Sequence, residues 1–265
     1  MELVLLDQSK DKLELSFILK KATPALANAV RRAIISLVPT LAIEDLEIIK
    51  NSSVLYDEML AHRLGLIPLI TDLSTYVLPE KCKCNGEGCA SCQVKFTLSA
   101  KGPCKVYAKD VKFHDPKIKA VYGDMLIVEL DTDQEMEVQG VAVLGRGRDH
   151  AKFSPGVAYY KYKPAIVIEE QPDDVNYVAS QCPKDVFEVK SGKLEVNKDK
   201  VFDCHLCEAC VDASNGKIKL NEKNDEFLFY VESFGQLTAK EMVKNAVEVI
   251  SEAADEFAKA VKKLE

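Results

Sequence analysis

The chain has 265 residues, 47% of them hydrophobic and 29% charged, with a net charge of −7 at neutral pH. That length accommodates two or three domains of ordinary size, and no apolar run reaches the roughly eighteen residues of a membrane helix. The acidic balance argues against autonomous nucleic-acid binding, which rests on a basic excess or stripe. The start MELVLLDQSKDK lacks the basic region, apolar centre and cleavage site of a secretory leader, so a cytoplasmic protein is expected.

Residues 1–20 read as two strands around the polar turn at 9–12, with LELSFIL alternating at period two. A helix follows. Thr23 suits its N-cap and Pro24 its first position, Leu26, Val30, Ala33, Ile34 and Leu37 share one face, and Pro39 is expected to end it. LAIEDLEIIKNSSVLYDEML passes from a strand into a short helix near 56–64. Beyond a cysteine-rich loop, VKFTLSA, CKVYAKDVKF, DMLIVELD and MEVQGVAVLG are strand-like. DVFEVKSGKLEVN reads as a hairpin turning at Ser191 and Gly192. FLFYVESFG (227–235) then leads into a long helix opened by a Thr238/Glu241 capping box. Met242, Ala246, Ile250, Ala253, Phe257, Val261 and Leu264 form a stripe on that helix at steps of three and four. Burying this face would contribute on the order of 10 kcal/mol gross. It is expected to pack on the chain's own sheet or, in part, on a partner helix pair.

Nine cysteines are present; eight fall in two groups and Cys104 stands apart. In a reducing cytosol such groups are more often metal sites than disulfides. The later group is Cys182-Pro183 followed by Cys204, Cys207 and Cys210. Bacterial-type ferredoxins carry C-x2-C-x2-C-x3-C-P, and in two-cluster members the fourth cysteine serves the other cluster. Cys182 takes that fourth position here, and Cys204, Cys207 and Cys210 are the first three of the second motif. The remaining ligand positions fall on Pro172, Val175, Val178 and Ser214, so one cluster's ligands are complete and the other's are missing as a set. An iron–sulfur site is expected, [4Fe–4S] by preference and [3Fe–4S] if one thiolate is displaced. A four-thiolate zinc site and disulfides are the alternatives. Glu208 departs from the pattern, because ferredoxins usually carry Gly after the middle cysteine.

The earlier group is Cys82, Cys84, Cys89 and Cys92, two close pairs joined by a Gly-rich turn that can wrap four thiolates around Zn²⁺. Zinc at such a site contributes roughly 10–16 kcal/mol, enough to order a loop with little core. One or two disulfides, or an empty loop, are the alternatives. No catalytic constellation is visible. His62, His114, His150 and His205 are expected to be structural, and no G-x-G-x-x-G dinucleotide fingerprint occurs. The basic run Arg146, Arg148, His150, Lys152 is expected to be an exposed loop facing an acidic partner surface. An electron carrier or a redox sensor are the competing functions that the later cysteines would allow.

Five stretches carry a family resemblance: LANAVRRAIISLVPTLAIEDLEI (26–48), DEMLAHRLGLIPL (57–69), the cysteine loop at 82–92, GRGRDHAKFSPG (145–156) and FLFYVESFGQLTAKEMV (227–243). Together they resemble the alpha-like subunits of archaeal and eukaryotic multisubunit RNA polymerases. The additional ferredoxin-like stretch points within that family to the archaeal D-type subunits. The resemblance implies an α+β fold in three parts: a split dimerisation domain (1–40 and 219–265), an inserted mainly-β domain with the Cys loop (41–165), and a ferredoxin-like Fe–S domain (166–218). It further implies a non-catalytic assembly role. The chain would pair with the smaller alpha-like subunit L and form the platform for the two largest subunits and small zinc-binding subunits. Neither nucleic acid nor membrane is an expected partner, and the Fe–S cluster would be structural or assembly-regulating.

Overall fold

The computed structural model describes residues 1–264, Glu222 by its backbone alone. In chain order the elements begin with β1 (Glu2–Gln8), β2 (Glu14–Lys20), α1 (Pro24–Ser36), β3 (Pro39–Asn51) and α2 (Asp57–Gly65). Next come β4 (Gln93–Lys101), β5 (Cys104–Tyr107), β6 (Lys112–Phe113), β7 (Leu126–Leu130), β8 (Glu135–Arg146) and β9 (Gly156–Ile168). The last are α3 (Val175–Ser180), β10 (Phe187–Lys190), β11 (Lys193–Val196), α4 (Ala209–Ala213), β12 (Ile218–Ser233) and α5 (Ala239–Val261). Together they make a mixed α+β fold dominated by sheets, divided into two compact units.

One unit comprises Met1–Gln8, Ser16–Ala29 and Tyr159–Tyr230. Most of a four-stranded sheet lies here, in the order β1-β2-β12-β9. Alternating side chains stack aromatics on one another: Phe17 lies parallel to Phe229 at 5.0 Å, and Tyr160 meets Phe227 edge-on at 5.5 Å. Between β9 and β12 the chain builds a small body with its own apolar core of Val178, Val186, Phe187, Leu194 and Ile218, together with Cys204 and Cys210. Its hairpin pairs β10 with β11, and the turn at Ser191 (φ 49°) and Gly192 (φ 75°) has the two positive φ angles that a two-residue type I′ turn requires. Elements run strand, helix, hairpin, helix, strand from β9 to β12.

The other unit comprises Ser9–Leu15, Val30–Ala158 and the chain from Val231 onward. Its sheet runs β3-β8-β4-β6, flanked by the β5-β7 pair, with α2 on a core that includes Leu41, Leu60, Leu64, Phe96, Leu98 and Met136. β3 bulges between Ile43 and Asp45, opposite Ala142 and Val141; next in register Gly140 pairs with Leu46, and a Cβ there would stand 2.2 Å from the Asp45 carbonyl oxygen.

Several expectations change. α1 stops at Ser36, three residues short of Pro39, and Pro39 also opens β3. CKVYAKDVKF is broken into β5 and β6 by a single helical turn, because the Asp110 carboxylate turns back to accept from the Tyr107 N–H at 2.8 Å. The thirteen-residue β9 is an element that the sequence pattern does not announce. Arg146 and Lys152 do not belong to an exposed basic loop. Arg146 is buried and paired with Glu80 at 2.6 Å, while Lys152 donates to the Ile43 carbonyl oxygen at 2.9 Å and pairs with Glu44. Arg148 and His150 are exposed.

The capping box of α5 forms as expected, with Glu241 N–H donating to Thr238 Oγ1 at 3.3 Å and Thr238 N–H to the Glu241 carboxylate at 2.9 Å. Its apolar stripe is divided. Met242 and Ala246 are buried, whereas Phe257, Val261 and Leu264 are 73%, 44% and 85% exposed.

Candidate metal centres

The first centre is built from eleven consecutive residues. A helical turn at Pro79–Lys81 delivers Cys82, and positive φ angles at Asn85, Gly86 and Gly88 reverse the chain. The Val77 N–H donates to the Ser91 carbonyl oxygen at 2.9 Å and closes the base of the loop. Gly88 (φ 93°) allows Gln93 to fold over, its Nε2 donating to the Gly88 carbonyl oxygen at 3.0 Å. Two ion pairs hold the lead-in turn: Glu80 with the buried Arg146, and Lys81 with Glu252 of α5 at 2.7 Å.

The four sulfurs of this loop all lie within 4.8 Å of one another. Cys82 is 3.4 Å from Cys84 and 3.5 Å from Cys89, and Cys92 is 3.6 Å from Cys84 and 3.9 Å from Cys89. A tetrahedron of thiolates at about 2.3 Å from one ion has edges of roughly 3.8 Å, whereas a disulfide bond is about 2.05 Å. The spacing is therefore that of four ligands around a single ion, and all nine cysteines are free thiols. Hydrogen bonding from Cys82 pulls the Cys84 thiol down to about 6, while burial pushes Cys92 up to about 12. A cation at the centre would favour the thiolate form of all four. This cluster could bind a metal ion.

The second set comes from two separate segments: Cys182 just after α3, and Cys204, Cys207 and Cys210 on the run into α4. All four line one pocket, walled by Ile166, Val186, Phe187 and Leu220. Their thiols face the same enclosed space from two directions, which sets them apart from the single-loop cluster at 82–92. Four thiols lining one pocket have the ligand chemistry that either a polynuclear iron–sulfur cluster or a metal ion takes. Backbone donors already face the sulfurs: the Val186 N–H lies 3.4 Å from Cys182 Sγ, and the Leu206 N–H favours ionised Cys204. Against that, burial raises the Cys204 thiol and pushes Cys210 up to about 11, so the site favours thiolates only when a positive group neutralises them.

Local conformation explains one departure noted in the sequence. Glu208 has φ 62° and Leu206 φ 59°, both left-handed, a conformation that glycine adopts without a Cβ penalty. The four positions that lack cysteine have other roles. Val178 is 1% exposed within the apolar core, Val175 packs on that core and Pro172 is buried. Ser214, 2% exposed, donates to the Val211 carbonyl oxygen at 3.1 Å and accepts from the Ile218 N–H at 3.1 Å. Cys104 belongs to neither centre; it lies on β5, half-buried.

Residues 36–156 match the family described as the RNA polymerase Rpb3/RpoA insert domain. Across almost the whole chain, the DNA-directed RNA polymerase subunit Rpo3 of Methanosarcina mazei is 43% identical over 255 residues, covering 93% of this chain and 96% of that protein. The Rpo3 subunit of Archaeoglobus fulgidus is 38% identical over 265 residues, covering 100% and 99%. That of Methanopyrus kandleri is 35% identical over 251 residues, covering 94% and 91%. The D-type designation expected from the resemblance is corrected by these relatives, which are named Rpo3. No helix among the described residues is long and apolar enough to cross a membrane. The chain belongs to the archaeal Rpo3 family of alpha-like, non-catalytic subunits of DNA-directed RNA polymerase.

Proposed function

We propose that this subunit is an assembly scaffold that pairs through α5 with the smaller alpha-like subunit, L, and that the pair nucleates docking of the two largest subunits and the small zinc-binding subunits. The carrying observation is the apolar stripe of α5, which is buried at Met242 and Ala246 and left in water at Phe257 and Val261, with Leu264 exposed just beyond the helix end. Large apolar side chains aligned on one helix face are an interaction surface, because each gains roughly 1.5–3 kcal/mol on leaving water. The three-part layout of 1–40 with 219–265, 41–165, and 166–218 belongs to this reading, as does a cytoplasmic location.

Each cysteine set has a structural role in the scheme. Zinc at Cys82, Cys84, Cys89 and Cys92 would order the loop, supported by the sulfur spacing. One iron–sulfur cluster at Cys182, Cys204, Cys207 and Cys210, [4Fe–4S] by preference over [3Fe–4S], would tie the α3 end of a ferredoxin-like domain to its α4 end. Support for that domain comes from the strand, helix, hairpin, helix, strand order. When bound, the cluster supplies cross-linking between the two segments and a one-electron couple.

The test is co-expression with the smaller alpha-like subunit. Phe257→Glu, at an exposed position that the fold does not require, is expected to weaken pairing at least about 30-fold, or about 2 kcal/mol. Lys259→Glu, away from the stripe, is expected to pair within a few-fold of the unaltered chain. Undiminished pairing by Phe257→Glu would remove α5 from the interface.

A further inference from the structure

We propose that Lys161 is a positioning cation for the iron–sulfur site: a half-buried ammonium held over the Tyr230 ring that offsets negative charge at the Cys204 end and favours the reduced cluster. The inference rests on the iron–sulfur reading of the second cysteine set.

Lys161 lies on β9, the strand that also carries the pocket residue Ile166. Its Nζ stands 5.6 Å from the centroid of the Tyr230 ring, a cation–π distance. Tyr230 is itself fixed on both sides. It stacks on Tyr159 at 5.1 Å with an interplanar angle of 18°, and its hydroxyl donates to the Phe202 carbonyl oxygen at 3.4 Å. Phe202 belongs to the helical turn Val201–Asp203, which hands the chain directly to Cys204. The ammonium is thus supported by a ring that is anchored to the lead-in of a ligand.

The charges around Lys161 point the same way. Among the described residues no carboxylate oxygen lies within 4.0 Å of its Nζ. Burial works against its positive form; the anionic groups acting on it are Cys204 and Asp203, and the opposing cation is Lys184. A half-buried ammonium without a carboxylate partner is costly on its own. Beside a net-negative thiolate cluster the same charge becomes favourable, and more so when the cluster gains another electron. Net charge and hydrogen bonding are among the levers that set iron–sulfur potentials.

The experiment uses the full chain, loaded anaerobically with ferrous iron and sulfide and titrated with dithionite while the paramagnetic resonance signal reports the reduced cluster. Lys161→Gln is expected to lower the reduced-to-oxidised ratio at fixed potential about tenfold, a fall of about 59 mV for one electron. Lys161→Arg, which keeps the charge, is expected to stay within about threefold. A fully loaded Lys161→Gln cluster with an unmoved potential overturns this inference alone. If Lys161→Gln loads poorly, Lys161→Arg must load fully, and equal loss in both would mean packing rather than charge and overturn it too. An unaltered chain that takes up no iron and sulfide overturns the cluster reading and this inference with it.

Discussion

The two cysteine sets solve different problems with the same ligand. Cys82, Cys84, Cys89 and Cys92 come from one short loop and converge until all four sulfurs lie within 4.8 Å of one another. Cys182 and the Cys204–Cys210 run come from opposite ends of a small body, and Cys204 and Cys210 are also members of its apolar core. In the first case a metal held at the site would order a loop at the margin of the core. In the second a bound group would be continuous with the core. Loss of the bound group should therefore stay local at one site and spread at the other.

The comparison breaks most visibly under ligand replacement. Cys204→Ser is expected to abolish visible iron–sulfur absorption, to lower iron from about four per chain to below about one, and to make 166–218 protease-sensitive. Cys84→Ser should leave those residues protected and expose only 78–93. Equal proteolysis in the two variants would erase the distinction.

Acid sharpens it next. With Cys92 held as a thiol up to about 12 by burial, an incoming ion must displace that proton at neutral pH, whereas Cys84 has already lost its own above about 6. Bound metal therefore releases protons, and its apparent affinity should rise at least roughly tenfold per pH unit between about 6 and 8. A chelator competition with zinc, run at both pH values, measures this slope. A flat profile would mean that Cys92 is not a ligand.

The smallest expected effect is conformational. Glu208→Gly relieves a left-handed φ at a non-glycine residue, offset by the greater freedom of glycine in the unfolded chain. The second body should gain roughly 0.5–1 kcal/mol, read as a higher denaturant midpoint for 166–218. A loss of stability would show that the Glu208 side chain makes a contact that matters more than its backbone angle.

What the sequence reveals, and what it conceals, follows from the range of the forces involved. The Thr238/Glu241 capping box, the Ser191-Gly192 turn and the convergence of the first four cysteines are settled within a few residues, so their spacing announces them. β9 is hidden because Pro164 lies inside it and a proline argues against an interior strand; β9 occupies the sheet edge, where a missing N–H is tolerated. The basic run at 146–152 conceals two inward-facing residues because the partners of Arg146 and Lys152, Glu80 and Glu44, are distant in sequence. The α5 stripe is legible as a stripe. Which half of it remains in water depends on where the neighbouring elements stop, and no local pattern encodes that.

One pairing described by its hydrogen bonds also governs how the molecule could be taken apart. The Phe234 N–H donates to the Pro155 carbonyl oxygen at one end, and the Glu169 N–H to the Lys217 carbonyl oxygen at 3.0 Å at the other, so β9 and β12 run antiparallel. The chain thus leaves the sheet at 169 and re-enters it beside the same point at 217. Everything between is an excursion with adjoining ends, and a short reverse turn such as Asn-Gly could replace it. Excision would leave β9 and β12 as a plain hairpin within the sheet and remove the second cysteine set in a single cut.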